Sequence, residues 1–375
     1  MDLTYTDEEE AFRAEARAWL EANVPRRLPS GDTAEGFALH VEWERTLFSA
    51  RWAVVSWPRE YGGREASLVE WLLFEEEYYR AGGPQRVTQN GIFLLAPTLF
   101  EFGTQEQKDR ILPRMAAAED LWCQGWSEPN AGSDLAGIKS TAVRDEAAGG
   151  WRLTGQKTWT TRGAFCTHLF GLFRTDPAAE RHRGMTYFLV PLTAEGVTVR
   201  GFGRLDGDEG FAEVFFEDVF VPDADVLGDV GRGWEVAMAT AGSERGLTLR
   251  SPGRFQAAAA RLVELWREQP EPDLADEVTR AWMDAEAYHL HTLQTVTRLM
   301  DGARPGPEAS LTKLFWSELD VRLHEIALRL LGPEGELEGP WTKGFQFALA
   351  GPIYAGTNEI QRNVVAERLL GLPRR

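Results

Sequence analysis

Four short segments gather polar, glycine-rich and aromatic residues within otherwise apolar surroundings. They are Trp122-Cys-Gln-Gly-Trp126-Ser-Glu-Pro-Asn-Ala-Gly-Ser133-Asp, Gly155-Gln-Lys-Thr-Trp159-Thr-Thr161, Gly242-Ser-Glu244-Arg245-Gly and Ile353-Tyr-Ala355-Gly-Thr357-Asn-Glu359-Ile-Gln. Together they offer aromatic faces, hydroxyls and backbone N–H groups. That mixture suits a planar heterocyclic ligand, which needs a stacking wall and hydrogen-bonding groups along its rim. Taken singly, each segment reads as well as a turn built around a buried tryptophan.

Glu244 and Arg245 add a charge argument. Trp234, Ala237, Met238 and Ala241 form a helical stripe, and projecting it forward at 100° per residue puts Arg245 near its centre and Glu244 at its edge. A partly desolvated carboxyl there would have a raised pKa, as a general base requires. A structural Glu–Arg pair joining two helices explains the same pattern. Other chemistries lack their signatures: there is no G-x-S-x-G elbow, no H-E-x-x-H and no Walker loop. Gly201-Phe-Gly203-Arg-Leu-Asp206 lacks the third glycine and the βαβ setting of a dinucleotide fingerprint. His289 and His291, two apart on a predicted helix, do not face each other, so no metal site is expected.

Three stretches of different pattern must position these residues. From about 6 to 120 the chain reads mostly as helices: Thr6 and Glu9 form a capping box ahead of Phe12, Ala16, Trp19 and Leu20, and further helical patterns cover about 35–50, 68–80 and 105–118. Turn formers from Trp57 to Gly63 interrupt them. Between about 121 and 228, β-forming runs at 151–159, 168–173, 186–192, 197–202 and 212–221 alternate with Gly, Pro and Asp clusters. From Gly233 onward helical periodicity returns. One stripe is Leu274, Val278, Ala281, Ala285, Leu293, Val296 and Met300; another is Leu311, Phe315, Leu319, Leu323, Ile326 and Leu330. Stripes this long need partner helices, so a bundle is implied. The expected organisation is α+β: a helical domain over 1–120, a β domain over 121–228 and a helical bundle over 229–375.

A length of 375 residues allows two or three packed units, and 43% hydrophobic with 26% charged residues excludes a disordered chain. With 58 acidic against 40 basic residues, the net charge of -18 disfavours nucleic acid and anionic membrane surfaces as partners. It does not exclude an acidic small ligand held by a few local basic groups. Cys123 and Cys166 form neither a C-x-x-C pair nor a disulfide framework, which suits structural thiols in a reducing compartment. No run approaches the ~18–20 apolar residues of a membrane-spanning helix, and the opening residues lack the features of a secretory signal. A cytoplasmic enzyme without membrane insertion is expected.

Five motifs, in this order on an α, β, α layout, resemble the acyl-CoA dehydrogenase family over essentially the whole chain. They are Trp57-Pro through Gly63, Ser127-Glu-Pro to Gly132-Ser133-Asp, Gly155-x-Lys157-x-Trp159 with Thr161, Phe216-Glu-Asp-Val219 through Val221-Pro222, and Gly356-Thr357-Asn-Glu359-Ile-Gln-Arg362. The resemblance implies an N-terminal helical domain, a central antiparallel β domain and a C-terminal four-helix bundle, with FAD held between the β domain and the bundle. Gln124, Trp126 and Ser127 match one flavin-lining segment, and Trp159 with Thr161 a second. Thr357 and Glu359 match positions near FAD, and Ser133 a position near the acyl-CoA chain. The implied reaction is α,β-dehydrogenation of an acyl-CoA to the trans-2-enoyl-CoA, with electrons passed to an electron-transferring flavoprotein by a homotetramer or dimer.

Many relatives carry the catalytic glutamate directly before the C-terminal Gly-Thr, where this chain has Ala355. Isovaleryl- and long-chain-type members carry it instead on the first bundle helix, at the position Glu244 matches. The resemblance therefore implies Glu244 as base, Arg245 as a neighbour orienting it or the substrate, and the Ala355 N–H as a donor to the thioester oxygen. Two departures bear on the cofactor. No R-x-x-F-G segment appears between Arg250 and Phe255, and the usual Q-x-x-G-G-x-G is replaced by Arg329-Leu-Leu-Gly332-Pro333-Glu-Gly335. Some relatives lacking these elements pair two different subunits, so a hetero-oligomer is also open, including one in which this chain supplies half a site or none. An oxygen-using flavin relative is a further alternative.

Overall fold

The computed structural model describes residues 3–245, 251–303 and 306–373, with side chains for all of these except 243–245. The chain opens with α1 (Asp7–Asn23), α2 (Ala34–Ser49) and α3 (Leu68–Arg80). A π-helical turn at Asn90–Leu95 leads into α4 (Ala96–Phe102), and α5 (Gln105–Ala116) follows. Local sequence sets where three of these begin. Thr6 with Glu9, Ser67 with Glu70 and Thr104 with Gln107 form reciprocal capping boxes that satisfy the first free N–H groups of α1, α3 and α5.

Eight strands follow: β1 (Trp122–Gly125), β2 (Thr141–Asp145), β3 (Gly150–Thr161), β4 (His168–Arg174), β5 (Met185–Pro191), β6 (Val197–Phe202), β7 (Phe211–Pro222) and β8 (Val226–Leu227). They form one sheet in the order β6-β7-β3-β2-β4-β5-β8, with β1 paired to β4. Pairing is antiparallel except for β1 with β4 and a single β2–β4 register pair. Alternation along β3 and β7 sends Leu153, Val214, Phe216, Val219 and Val221 into a core shared with Phe173 and Phe188. The sequence reading found the five longer strands and missed β1, β2 and β8, which are too short to show a period of two.

The remaining helices are α6 (Gly233–Arg245), α7 (Pro252–Glu268), α8 (Ala275–Met300), α9 (Ala309–Leu331), α10 (Pro340–Ala348) and α11 (Asn358–Val364). Phe255, Ala259, Leu262, Ala281, Ala285, Leu323 and Ile326 form the core that joins α7, α8 and α9. α3 packs on α7, and at Gly253 a Cβ would lie 2.8 Å from the Glu76 Cα, so the close approach requires glycine. Two expected stripes are corrected at their ends. On α8 the buried row is Val278, Ala281, Ala285, Tyr288, Thr292 and Val296, and Met300 is exposed. On α9 Leu311 and Phe315 are exposed, and the first turns bury Ser310, Lys313 and Ser317 instead. Lys313 and Ser317 have a buried partner in Asn358, which hydrophobicity counting cannot register.

The fold class is α+β, and among the described residues every strand lies within 122–227. The chain packs as two compact units. One comprises Met1–Arg26, Ala66–Pro84 and Arg245–Arg375, and the other Arg27–Glu65 and Gln85–Glu244. Among the described residues, no helix is long and apolar enough to cross a membrane.

Candidate active site

Within the sheet-bearing unit, β1 is short and pairs along one edge only, Trp122 opposite His168 through Gly125 opposite Gly171. Trp122 stacks on His168 with ring centres 4.6 Å apart. Two residues apart on this extended run, Gln124 Nε2 and Trp126 Nε1 are buried donors with no hydrogen-bond partner among the described residues. An unpaired buried donor costs about 1–3 kcal/mol, and such groups are rare in native chains. Trp126 also meets Tyr187 edge-on at 6.4 Å.

β3 brings the second segment alongside. Its pairing with β7 slips between Leu153 and Gly155 and again between Lys157 and Thr160. Gly155 sits at φ +149, and a Cβ there would lie 2.2 Å from Ser140 Oγ, which explains the glycine of the motif. The second irregularity puts Trp159 at φ +58 and leaves its side chain 60% exposed. A left-handed tryptophan stores strain, and such strain concentrates at functional positions. Phe202 and Phe211 brace the indole edge-on at 5.2 and 5.5 Å, so one aromatic face is presented on a rigid support. Thr161 is half-buried opposite Phe211 at the strand end. Thr158 N donates to Ser127 O at 2.9 Å and fastens the two segments to each other. Ser133 lies exposed in the loop between Glu128 and Ser140.

Sequence reasoning quoted Glu128 and Lys157 within motifs and gave them no role. Both are buried, and Lys157 Nζ lies 2.8 Å from Glu128 Oε1. Burial pushes the Glu128 carboxyl upward, but the Lys157 ammonium and the Lys139 and Ser140 N–H groups outweigh it and hold it below the usual range. Burial pulls Lys157 down to about 8, partly offset by the Glu128 charge. Sequence carries no signal of this burial, because Glu128 stands between Ser127 and Pro129 and Lys157 between Gln156 and Thr158.

In the helical unit, Ala355 at φ +58 and Gly356 at φ +80 make a left-handed turn into α11. Gln361 Nε2 donates to Ala355 O at 3.0 Å and Gly356 O at 3.3 Å, and Thr357 Oγ1 accepts from Ile360 N at 3.2 Å as the helix cap. Asn358 Oδ1 accepts from the buried Lys313 Nζ at 2.7 Å and from Ser317 Oγ at 3.1 Å. The turn is pinned from below, and the Ala355 N–H makes no hydrogen bond among the described residues. Glu359 is exposed, and its own N–H followed by the Thr357 hydroxyl holds its carboxyl below the usual range.

Glu244 and Arg245 are the last two positions of α6, and their side chains lie outside the described residues. The helix face is corrected. Val236, Ala237, Thr240 and Ala241 are buried, whereas Met238 is 37% exposed. Thr240 draws the face round: its hydroxyl lies 2.8 Å from Thr98 Oγ1 and 3.2 Å from the Tyr187 hydroxyl, a buried junction that apolar periodicity cannot register.

Free N–H donors on β1 and just past its end, with a braced, open indole, fit the isoalloxazine of FAD, whose rim carries acceptors and whose faces stack. Comparison with known proteins gives the same answer. The acyl-CoA dehydrogenase N-terminal, middle and C-terminal domain models match residues 6–119, 123–219 and 231–370. Acyl-CoA dehydrogenase IpdE1 of Mycolicibacterium smegmatis is 39% identical, covering 98% of this chain and 98% of its own. The Mycobacterium tuberculosis protein of the same name is 40% identical over 97% of this chain and 98% of its own. Among solved structures, the Tcur3481-Tcur3483 steroid ACAD matches with a TM-score of 0.88 and 28% identity, covering 100% of both chains. The ChsE4-ChsE5 complex from Mycobacterium tuberculosis matches with a TM-score of 0.84 and 29% identity, again over 100% of both chains. The chain belongs to the acyl-CoA dehydrogenase family of FAD-dependent flavoproteins and is an enzyme of that class.

Proposed function

We propose that this enzyme α,β-dehydrogenates an acyl-CoA thioester to the trans-2-enoyl-CoA, with Glu244 as the base. The observation that carries the reading is the pair of unpartnered donors, Gln124 Nε2 and Trp126 Nε1, on a segment fastened to the exposed indole of Trp159. Gln124, Trp126, Ser127, Trp159 and Thr161 would hold the flavin ring, with Thr357 and Glu359 as further FAD contacts. Bound FAD supplies the two-electron acceptor for the hydrogen leaving Cβ.

The protein must do the rest. A thioester Cα–H is very weakly acidic, so the chain has to hold a base and stabilise negative charge on the thioester oxygen together. Glu244 takes the Cα proton. Its place is supported by the row Val236 and Thr240, which continues at four-residue spacing to position 244. The Ala355 N–H donates to the thioester oxygen, a role independent of the side chain it carries, and the Gln361 bond to Ala355 O keeps that peptide fixed. Ser133 and Arg245 contact substrate.

Likeness to a structure titled as a steroid ACAD favours a steroid-derived acyl thioester over a short linear one. Electrons leave to an electron-transferring flavoprotein. The chain works in an oligomer, and two solved relatives whose titles each name a pair of proteins favour pairing with a different subunit. The altered Arg329–Gly335 segment supports the same reading, since Arg329 is engaged by Glu277 at 2.6 and 3.0 Å.

The test is anaerobic titration of the purified protein with acyl-CoAs of graded size, followed by flavin absorption. Glu244→Gln is expected to slow bleaching by about 10²–10⁴-fold. Bleaching at the wild-type rate would remove Glu244 from the mechanism. A colourless chain that gains colour and turnover only with a second subunit identifies a half-site chain.

A further inference from the structure

The Glu128 carboxylate collects three donors: Lys139 N at 2.6 Å, Ser140 N at 2.9 Å and Lys157 Nζ at 2.8 Å. Lys157 is 0% exposed and uses its ammonium fully, donating also to Leu172 O at 2.7 Å and reaching Trp126 O at 3.5 Å. The Glu128 backbone closes the loop mouth through reciprocal 3.0 Å bonds with Ala131.

A buried ion pair is weak evidence for stability, because apolar side chains of the same volume often do as well. What an apolar replacement cannot do is fix directions, and here the bonded groups define the local chain path. They comprise the carbonyl of Trp126, the far end of the loop that carries Ser133, the strand two residues before Trp159, and strand β4.

We propose that Glu128 and Lys157 are positioning residues, a clamp that holds the Trp126–Ser127 turn, the Ser133 loop and the Trp159 bulge in one arrangement before any ligand arrives. This rests on the reading of those three segments as flavin- and thioester-contacting. The clamp touches neither cofactor nor substrate. It removes the need to order three separate backbone segments on binding, which would otherwise weaken affinity.

The test compares wild type with Lys157→Met and with the double variant Glu128→Gln/Lys157→Met. The double variant removes both charges, leaves no unpaired buried ion, and carries the test if the single variant does not fold. Two quantities are read: amide hydrogen exchange at Lys139 and Ser140 in the flavin-free chain, and FAD affinity by flavin fluorescence. The double variant is expected to melt in one cooperative transition, with both amides exchanging at least about tenfold faster and FAD bound at least about tenfold more weakly. Wild-type exchange rates in a folded double variant overturn the clamp, as does FAD affinity within about twofold of wild type alongside fast exchange. A wild-type chain that takes up no FAD by itself is the half-site case of the functional reading, and the exchange rates alone then decide whether the pair holds the loop.

Discussion

A lysine with no exposed surface keeps its charge only where a carboxylate answers it, and Lys157 has one such partner in Glu128. Desolvation lowers its pKa to about 8, with Glu128 acting against the shift. An unfolded lysine titrates near 10.5, so between the two values the unfolded chain binds more protons than the folded one. The Lys157 contribution to stability therefore rises with pH from about 8 to about 10.5 and is lowest below 8. Wild type is expected to gain roughly 3 kcal/mol on Lys157→Met across that window, measured as the difference in denaturant midpoints at pH 7 and 10.5. A difference that stays flat, or runs the other way, means that Lys157 does not titrate as a buried amine.

At the next scale, elements are fastened by groups that periodicity does not report. Glu77 on α3 has a side chain with 0% exposure and accepts from Arg13 Nε at 2.9 Å, Arg17 Nε and Nη2 at 3.0 and 2.7 Å, and Arg80 Nε at 2.7 Å. Burial raises its pKa, but the arginine hydrogen bonds prevail and bring it down to about 2. The resulting stabilisation is complete above the ordinary value of 4.5 and is lost as pH falls from there through about 2. Glu77→Gln should loosen α1 from α3 at a cost of roughly 2 kcal/mol, below the ~3–5 of a fully buried pair because the arginines are partly exposed. The loss should show as a lower melting temperature at pH 7 that converges on wild type near pH 2. The Thr6–Glu9 capping box and helical spacing make α1, α3 and α5 legible in the sequence, and β-formers mark the longer strands. The path of the site was less legible. Trp159 could be named, but its left-handed turn depends on a register slip against β7, and the α6 face is drawn round by Thr240 hydrogen bonds to residues far away in sequence.

For the whole molecule, the candidate residues lie in two units that are each packed around their own core. The lysines are Lys108, Lys139, Lys157, Lys313 and Lys343, and all other cationic side chains among the basic residues are arginines. Lys157 and Lys313 have no accessible surface, and they lie in different units. An amine-acylating reagent applied to the native protein should therefore mark Lys108, Lys139 and Lys343 promptly and leave the two interior amines unmarked. Peptide mass mapping over a denaturant series would then turn Lys157 into a gauge of opening in the sheet-bearing unit and Lys313 into a gauge for the helical one. Simultaneous acylation of the two would mean that both units open in a single step, and separate onsets would rank them. Composition and burial have together left the chain with one internal chemical reporter per unit, without any engineered label.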